Sequence, residues 1–201
     1  VWFVIQDGRL FGTNTEGITP YPIDGAVECW LGGDTQTPAE NRDAAHSDFW
    51  RIHSEGMAFL LRGFQEDGME VQRPGRSTIL PGTAFDISLP VWRIGETLLQ
   101  AQRLAENLFE GPTTIRFIAT YEGLSGRALT SIDHRRHVWE SRIARQNSIT
   151  LNTHVDAQAI DTNLPEIVHP LLSPLYALFD FFELSIQLVS EELSRMRGGN
   201  I

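Results

Sequence analysis

The hydrophobic period changes inside one short stretch, Phe85-Asp86-Ile87-Ser88-Leu89-Pro90-Val91-Trp92-Arg93-Ile94, and that change limits the possible folds more than any other feature. Before Pro90 the pattern is two-fold: Phe85, Ile87 and Leu89 alternate with Asp86 and Ser88, as in a strand with one buried face. After it, Val91, Ile94, Leu98, Ala101, Ala105 and Leu108 recur at three- and four-residue steps and share one stripe of a helix. Proline suits the first helical turn, where its missing N–H has no partner to lose, and Glu110-Gly111-Pro112 ends the helix. A strand therefore passes into a helix with almost no loop.

The same reading predicts strands over residues 2–6, 26–31, 57–64, 84–89, 114–121, 128–132 and 148–155. It predicts helices over 42–52, 91–109 and 164–196, the last with a start broken by Pro170 and Pro174. Several strands follow one another without helices between them. The expected class is α+β: a mixed, mainly antiparallel sheet packed with a central helix and a long C-terminal helix. At 201 residues and 41% hydrophobic content, residues 1–201 are expected to form one domain with a real core, and the Gly/Thr/Pro-rich segment 32–40 a surface loop. Val1-Trp2-Phe3-Val4-Ile5 is too short for a signal-peptide core. A chain that opens in mid-strand without methionine is expected to be a piece of a longer one.

All sixteen basic residues are arginine. Without lysine there is no Walker-type phosphate loop, no Schiff base and no Ser–Lys dyad, and no cofactor is implied. A net charge of −10 argues against this chain as the main nucleic-acid binder, because duplex affinity rests on neutralising phosphates. The lone Cys29 excludes an internal disulfide, fits a reducing cytoplasm and sits in an apolar alternation, as a buried inert thiol does. Gly123-Leu124-Ser125-Gly126-Arg127 lacks the second glycine of a nucleophile elbow and reads as a tight turn between strands. Asp133, His134 and His137 have metal-binding chemistry, but Arg135 and Arg136 beside them repel a cation. That segment reads as a solvated connection, with an anion contact through Arg142 and Arg145 as the minor alternative; no metal site is expected.

The apolar run 171–189 holds Pro174, Asp180 and Glu183. Asp180, Glu183, Gln187, Glu191 and Ser194 share a polar face, which describes an amphipathic helix and not a membrane span. Its apolar side is wide: Leu175, Leu178, Phe182, Ile186, Val189 and Leu193 form a stripe that Phe179, Phe181, Leu184 and Leu188 broaden. Two readings stand: a terminal helix docked deep in its own domain, or one shared with a second subunit through Phe179, Phe182, Ile186 and Val189. Trp92, Arg93 and Glu96 lie near the start of the central helix, a natural anion site. Together with Trp50 and Arg62 they are the candidates for a small-effector pocket, the alternative being that the tryptophans close core edges and Arg93 pairs with a carboxylate. Arg62-Gly63-Phe64-Gln65-Glu66-Asp67 is expected to end a strand with exposed charge.

Taken together, PYPIDGAVECWLG (from Pro20), HSDFWRI (from His46), LLRGFQED (from Leu60), FDISLPVWRIGETLLQAQRLAENL (from Phe85) and YEGLSGRALTS (from Tyr121) resemble the C-terminal region of bacterial Schlafen/Alba-type DNA-binding proteins. The resemblance covers residues 20–131 and includes no catalytic signature. It implies a cytoplasmic, non-catalytic sensor or oligomerisation domain of a transcriptional regulator. Such a domain forms a homodimer, binds a small effector, and engages DNA only through an N-terminal domain absent from this chain. The competing expectation is a metal-dependent hydrolase or nucleic-acid-processing enzyme built on Asp133, His134 and His137, or on carboxylates such as Glu66 and Asp67.

Overall fold

A computed structural model of the chain describes residues 9–10, 13–14, 20–31, 48–68, 80–131, 136, 138 and 141–198. The strand expected over residues 2–6 and the loop expected over 32–40 lie outside these residues. The architecture is α+β, as the period analysis expects, with ten strands and three α-helices among the described residues. A small hairpin, β1 (Arg9–Leu10) with β2 (Thr13–Asn14), is followed by a four-stranded antiparallel sheet. That sheet has the order β3 (Tyr21–Ile23), β4 (Ala26–Leu31), β5 (Asp48–His53), β6 (Ala58–Arg62). A 3-10 turn at Gln65–Gly68 then leads to the second half of the chain.

There β7 (Ala84–Asp86) pairs in parallel with β9 (Ala128–Thr130). Between them run helix α1 (Leu89–Leu108) and β8 (Thr114–Glu122), and β8 forms a nine-residue antiparallel ribbon with β10 (Ser148–Asp156). Helices α2 (Leu164–Ala177) and α3 (Ile186–Arg197) close the domain. No described helix is long and apolar enough to cross a membrane.

Two expectations are corrected. Residues 48–52, expected to continue a helix begun at Arg42, belong to β5. Asp48-Phe49-Trp50-Arg51-Ile52-His53 alternates, burying Trp50 and Ile52 on one face, and it bonds to β4 on one side and β6 on the other. A central strand satisfies every backbone group through its neighbours, so the aromatic and β-branched side chains settle the matter. The single long C-terminal helix is instead two. Pro170 and Pro174 lie inside α2, and the break falls at residues 178–185, where Asp180 (φ 48°) and Phe181 (φ 57°) take left-handed backbone geometry. The Gly123–Arg127 turn is as expected, with Gly123 and Gly126 at φ 73° and 83° and the Arg127 N–H bonded back to the Leu124 carbonyl.

The main core joins α1, α2, α3 and the inner face of the β8–β10 ribbon around Phe85, which is fully buried. The Phe85 ring stacks on Phe179 at 4.9 Å and meets Phe64, Tyr121 and Tyr176 edge-on at 5.7, 6.2 and 6.5 Å. Tyr176 brings a polar tip into this core and donates it to the Ile87 carbonyl at 2.6 Å, so burial leaves no unsatisfied hydroxyl. Helices α1 and α3 approach closely at Gly95, where a Cβ would run into Leu193. The four-stranded sheet buries Cys29, Trp50 and Ile52 on one face. On its other face Tyr21 and Arg51 both donate to Glu28, at 2.7 Å each.

Replacing Phe85 by alanine removes a ring that four aromatics enclose. The expected loss is about 3–5 kcal/mol of unfolding free energy, read from urea denaturation, and a loss below about 1 kcal/mol would show that Phe85 is not the centre of the core.

Candidate functional site

The strand-to-helix junction is built from three acidic groups and the donors they meet. The Asp86 carboxylate turns back on its own chain: Oδ1 accepts from the N–H groups of Ser88 and Leu89, at 2.7 and 2.9 Å. Pro90 has no N–H, and Trp92 N–H already bonds to the Ser88 carbonyl, so Asp86 occupies the place an external anion would take at the start of α1. The expected anion site at this helix N-terminus is therefore filled by the protein's own carboxylate. The backbone N–H of Asp86 is held in turn by Glu66 Oε1 at 2.7 Å.

Glu66 and Asp67, expected as exposed charge, are drawn inward by the 3-10 turn. Asp67 makes a two-pronged pair with Arg127, Oδ1 to NH1 at 2.7 Å and Oδ2 to NH2 at 2.6 Å, and it also accepts from Gly82 N–H. The hydrogen bond from Arg127 holds its carboxyl below the ordinary value. Glu66 is only 2% exposed, and among the described residues its second oxygen, Oε2, has no hydrogen-bond partner. Burial pushes its pKa up against the opposing pull of the Asp86 N–H.

Arg93, on the first turn of α1, donates to the Gly63 carbonyl at 3.2 Å and lies within electrostatic reach of Arg62, Glu66, Tyr121 and Asp48. Desolvation first, and then the Arg62 guanidinium, pull its pKa down. Tyr121, on β8, is raised by burial, with Arg93 and Glu66 within electrostatic reach of it. Glu66, Arg93 and Tyr121 thus lie within electrostatic reach of one another at this junction. Buried polar groups are nearly always satisfied, so Glu66 Oε2 is an exception at this junction. Arg62 stands beside it, paired across the strands with Asp48 at 3.1–3.2 Å.

Of the five expected effector contacts, the fold brings Arg62 and Arg93 together. Trp50 is wholly buried in β5, with its indole N–H unpartnered. Trp92 faces the other way: its indole donates to Glu192 Oε2 at 2.9 Å. Glu192 is fully buried on α3 and also accepts from Arg136 Nε at 2.6 Å and Arg195 at 3.2 Å, so Trp92 satisfies a buried charge and not a ligand. Glu96, half-buried on α1, is likewise engaged. Glu66 and Tyr121, which the structure adds to this candidate site, are not among the contacts expected from the sequence. Glu66 looked like strand-end charge, and nothing in the order of residues signals that Tyr121 packs on Phe85.

Of the expected subunit contacts, Phe179 and Val189 are fully buried in the chain's own core and present no face to a partner. Phe182 is half-buried and Ile186 is 37% exposed. Asp133, His134 and His137 lie outside the described residues. Arg136 is clamped to Glu191 and Glu192, and Arg145 lies 3.6 Å from Asp180. Compared with protein-family models, with curated proteins and with solved structures, the chain matches none.

A carboxyl with a raised folded-state pKa holds more protons folded than unfolded above its ordinary value of 4.5, so its contribution to stability falls as pH rises through that window. Glu66→Gln keeps the acceptor for Asp86 N–H and removes the titration. The variant is expected to equal or exceed the parent in stability at pH 7, with the difference shrinking toward pH 4 in urea melts. A variant less stable at pH 7 and indifferent to pH would show that Glu66 is a favourable ion pair instead.

Proposed function

We propose that this chain is the sensor domain of a bacterial transcriptional regulator, non-catalytic and acting beside a separate DNA-binding domain. The observation that carries the reading is a buried carboxylate oxygen, Glu66 Oε2, left without a hydrogen-bond partner among the described residues and within electrostatic reach of Arg93 and Tyr121. The net charge of −10 supports it, since a strongly acidic domain leaves phosphate binding to another part of the protein.

The groups balance in charge, with Glu66 and Asp48 offsetting Arg93 and Arg62. The effector that fits is therefore a small neutral or zwitterionic molecule with a donor for the carboxylate beside an acceptor for the guanidinium. Its position gives it leverage. Residues 63–67 connect β6 to the helical body, and a molecule bonded to both Glu66 and Arg93 bears on both parts at once. Occupancy then sets how the four-stranded sheet sits against α1, the kind of two-state bias that a sensor needs.

The test is a thermal-shift screen of the purified chain against free amino acids, nucleobases and nucleosides. A compound at about a hundred times its Kd adds about 2.7 kcal/mol, a rise of roughly 5–10 °C for a domain of this size. The rise is expected to vanish in Arg93→Met and Glu66→Gln and to persist in Glu183→Gln. A panel without a single stabilising member, or a shift that survives both junction variants, would overturn the reading.

A further inference from the structure

The elbow between α2 and α3 holds an aromatic side chain in water by unfavourable backbone geometry. Phe181 is 91% exposed, and both it and Asp180 adopt left-handed conformations that non-glycine residues normally avoid. Glycine or asparagine would make the same turn with less strain and without exposing a ring. The conformation is fixed from outside the elbow. Asp180 Oδ2 accepts from Ile143 N–H at 2.9 Å, the Asp180 carbonyl accepts from Arg142 at 3.0 Å, and Phe181 N–H returns to the Ala177 carbonyl at 3.1 Å. The neighbouring aromatics go inward, Phe179 onto Phe85 and Phe182 against Tyr176 at 6.1 Å. Phe181 alone is turned out, beside Ile143 at 42% exposure and with Ile186 at 37% a few residues along.

We infer that this elbow is an isologous contact between two copies of the chain, in which Phe181 of each copy packs against Ile143 and Ile186 of the other. Charge argues for a second copy over a strongly charged partner. Among the described residues of the elbow, Arg142 and Arg145 are offset by Asp180 and Glu183, on a chain of net charge −10. The elbow is a place where two such chains can approach without mutual repulsion. A two-fold axis makes the patch its own complement: the Arg145 side chain, 87% exposed, meets an acidic side chain of the other copy, and the rings meet at the centre. The contact uses Ile186 from the expected subunit face and replaces the buried Phe179 and Val189 by Phe181 and Ile143.

The experiment is light scattering or sedimentation equilibrium on the whole chain over a concentration series. The parent is expected to dimerise. Phe181→Gly removes the ring and relieves the backbone, so its thermal midpoint should equal or exceed the parent's while its dimer Kd rises at least tenfold. Arg145→Glu, remote from the core, should weaken the dimer likewise, and adding Glu183→Arg should restore it. A parent that stays monomeric, or a folded Phe181→Gly or Arg145→Glu variant that dimerises as the parent does, would overturn the inference. In the first case Phe181 would be left to a partner of another kind.

Discussion

The buried guanidinium of Arg127 is the fastening on which the two halves of this chain depend. Its Nε bonds to the Gly123 carbonyl at 2.7 Å, NH1 to the Ala84 carbonyl at 2.8 Å, and the fork to both oxygens of Asp67. Its face covers the Phe64 ring at 4.3 Å. One side chain thereby ties together the segment leaving the four-stranded sheet, the strand that precedes α1, and the turn between β8 and β9. Only a planar group with several fixed donors can do this; an ammonium would satisfy one direction and leave the carbonyls and the ring unmet. Removing one partner of such a buried set leaves uncompensated charge, which is why both halves are committed to it.

Given that fastening, the rest of the junction follows in sequence. Asp67 fixed on Arg127 sets the 3-10 turn, and the turn carries Glu66 to the Asp86 N–H. Asp86, held at its backbone, is free to turn its carboxylate onto the amides of Ser88 and Leu89 and start α1 three residues after β7 ends. The helix is thus started by a side chain two positions before its formal cap, since Ser88 itself makes no side-chain capping bond. The short strand-to-helix passage that constrains the sequence so strongly is in this sense an electrostatic device.

What was legible in the sequence was whatever local periodicity controls. The two-residue alternation before Pro90 and the stripe after it placed β7 and α1, and the same logic found β4, β8, β9 and β10. It failed at residues 48–52 because five residues of mixed aromatic and charged character fit either period, and only pairing with strands on both sides decides between them. It failed at the C-terminal helix for the opposite reason: the stripe really does run from Leu175 to Leu193, yet the two left-handed residues that divide it are Asp and Phe, which do not announce a turn. The site was half legible. Arg62 and Arg93 could be nominated as charges near apolar sequence, whereas Glu66 and Tyr121 join them only through the tertiary contacts of Phe64 and Phe85.

The same electrostatics narrow what the junction can accept. An anion arriving at α1 would have to displace Asp86 from two amides, and would do so inside a chain that already carries net charge −10. A cation would find Glu66 beside Arg93, with Arg62 within reach of that guanidinium, and would be repelled. On the proposed reading, what remains favourable is a molecule that presents both signs, or neither. The raised pKa of Glu66 works in the same direction: burial makes its charge costly, and on the proposed reading a donor at Oε2 offsets that cost. On the proposed reading, a desolvated carboxylate held in place by one bond and left one bond short favours selective capture, because a ligand without a donor for Oε2 leaves the cost of burying that charge unmet.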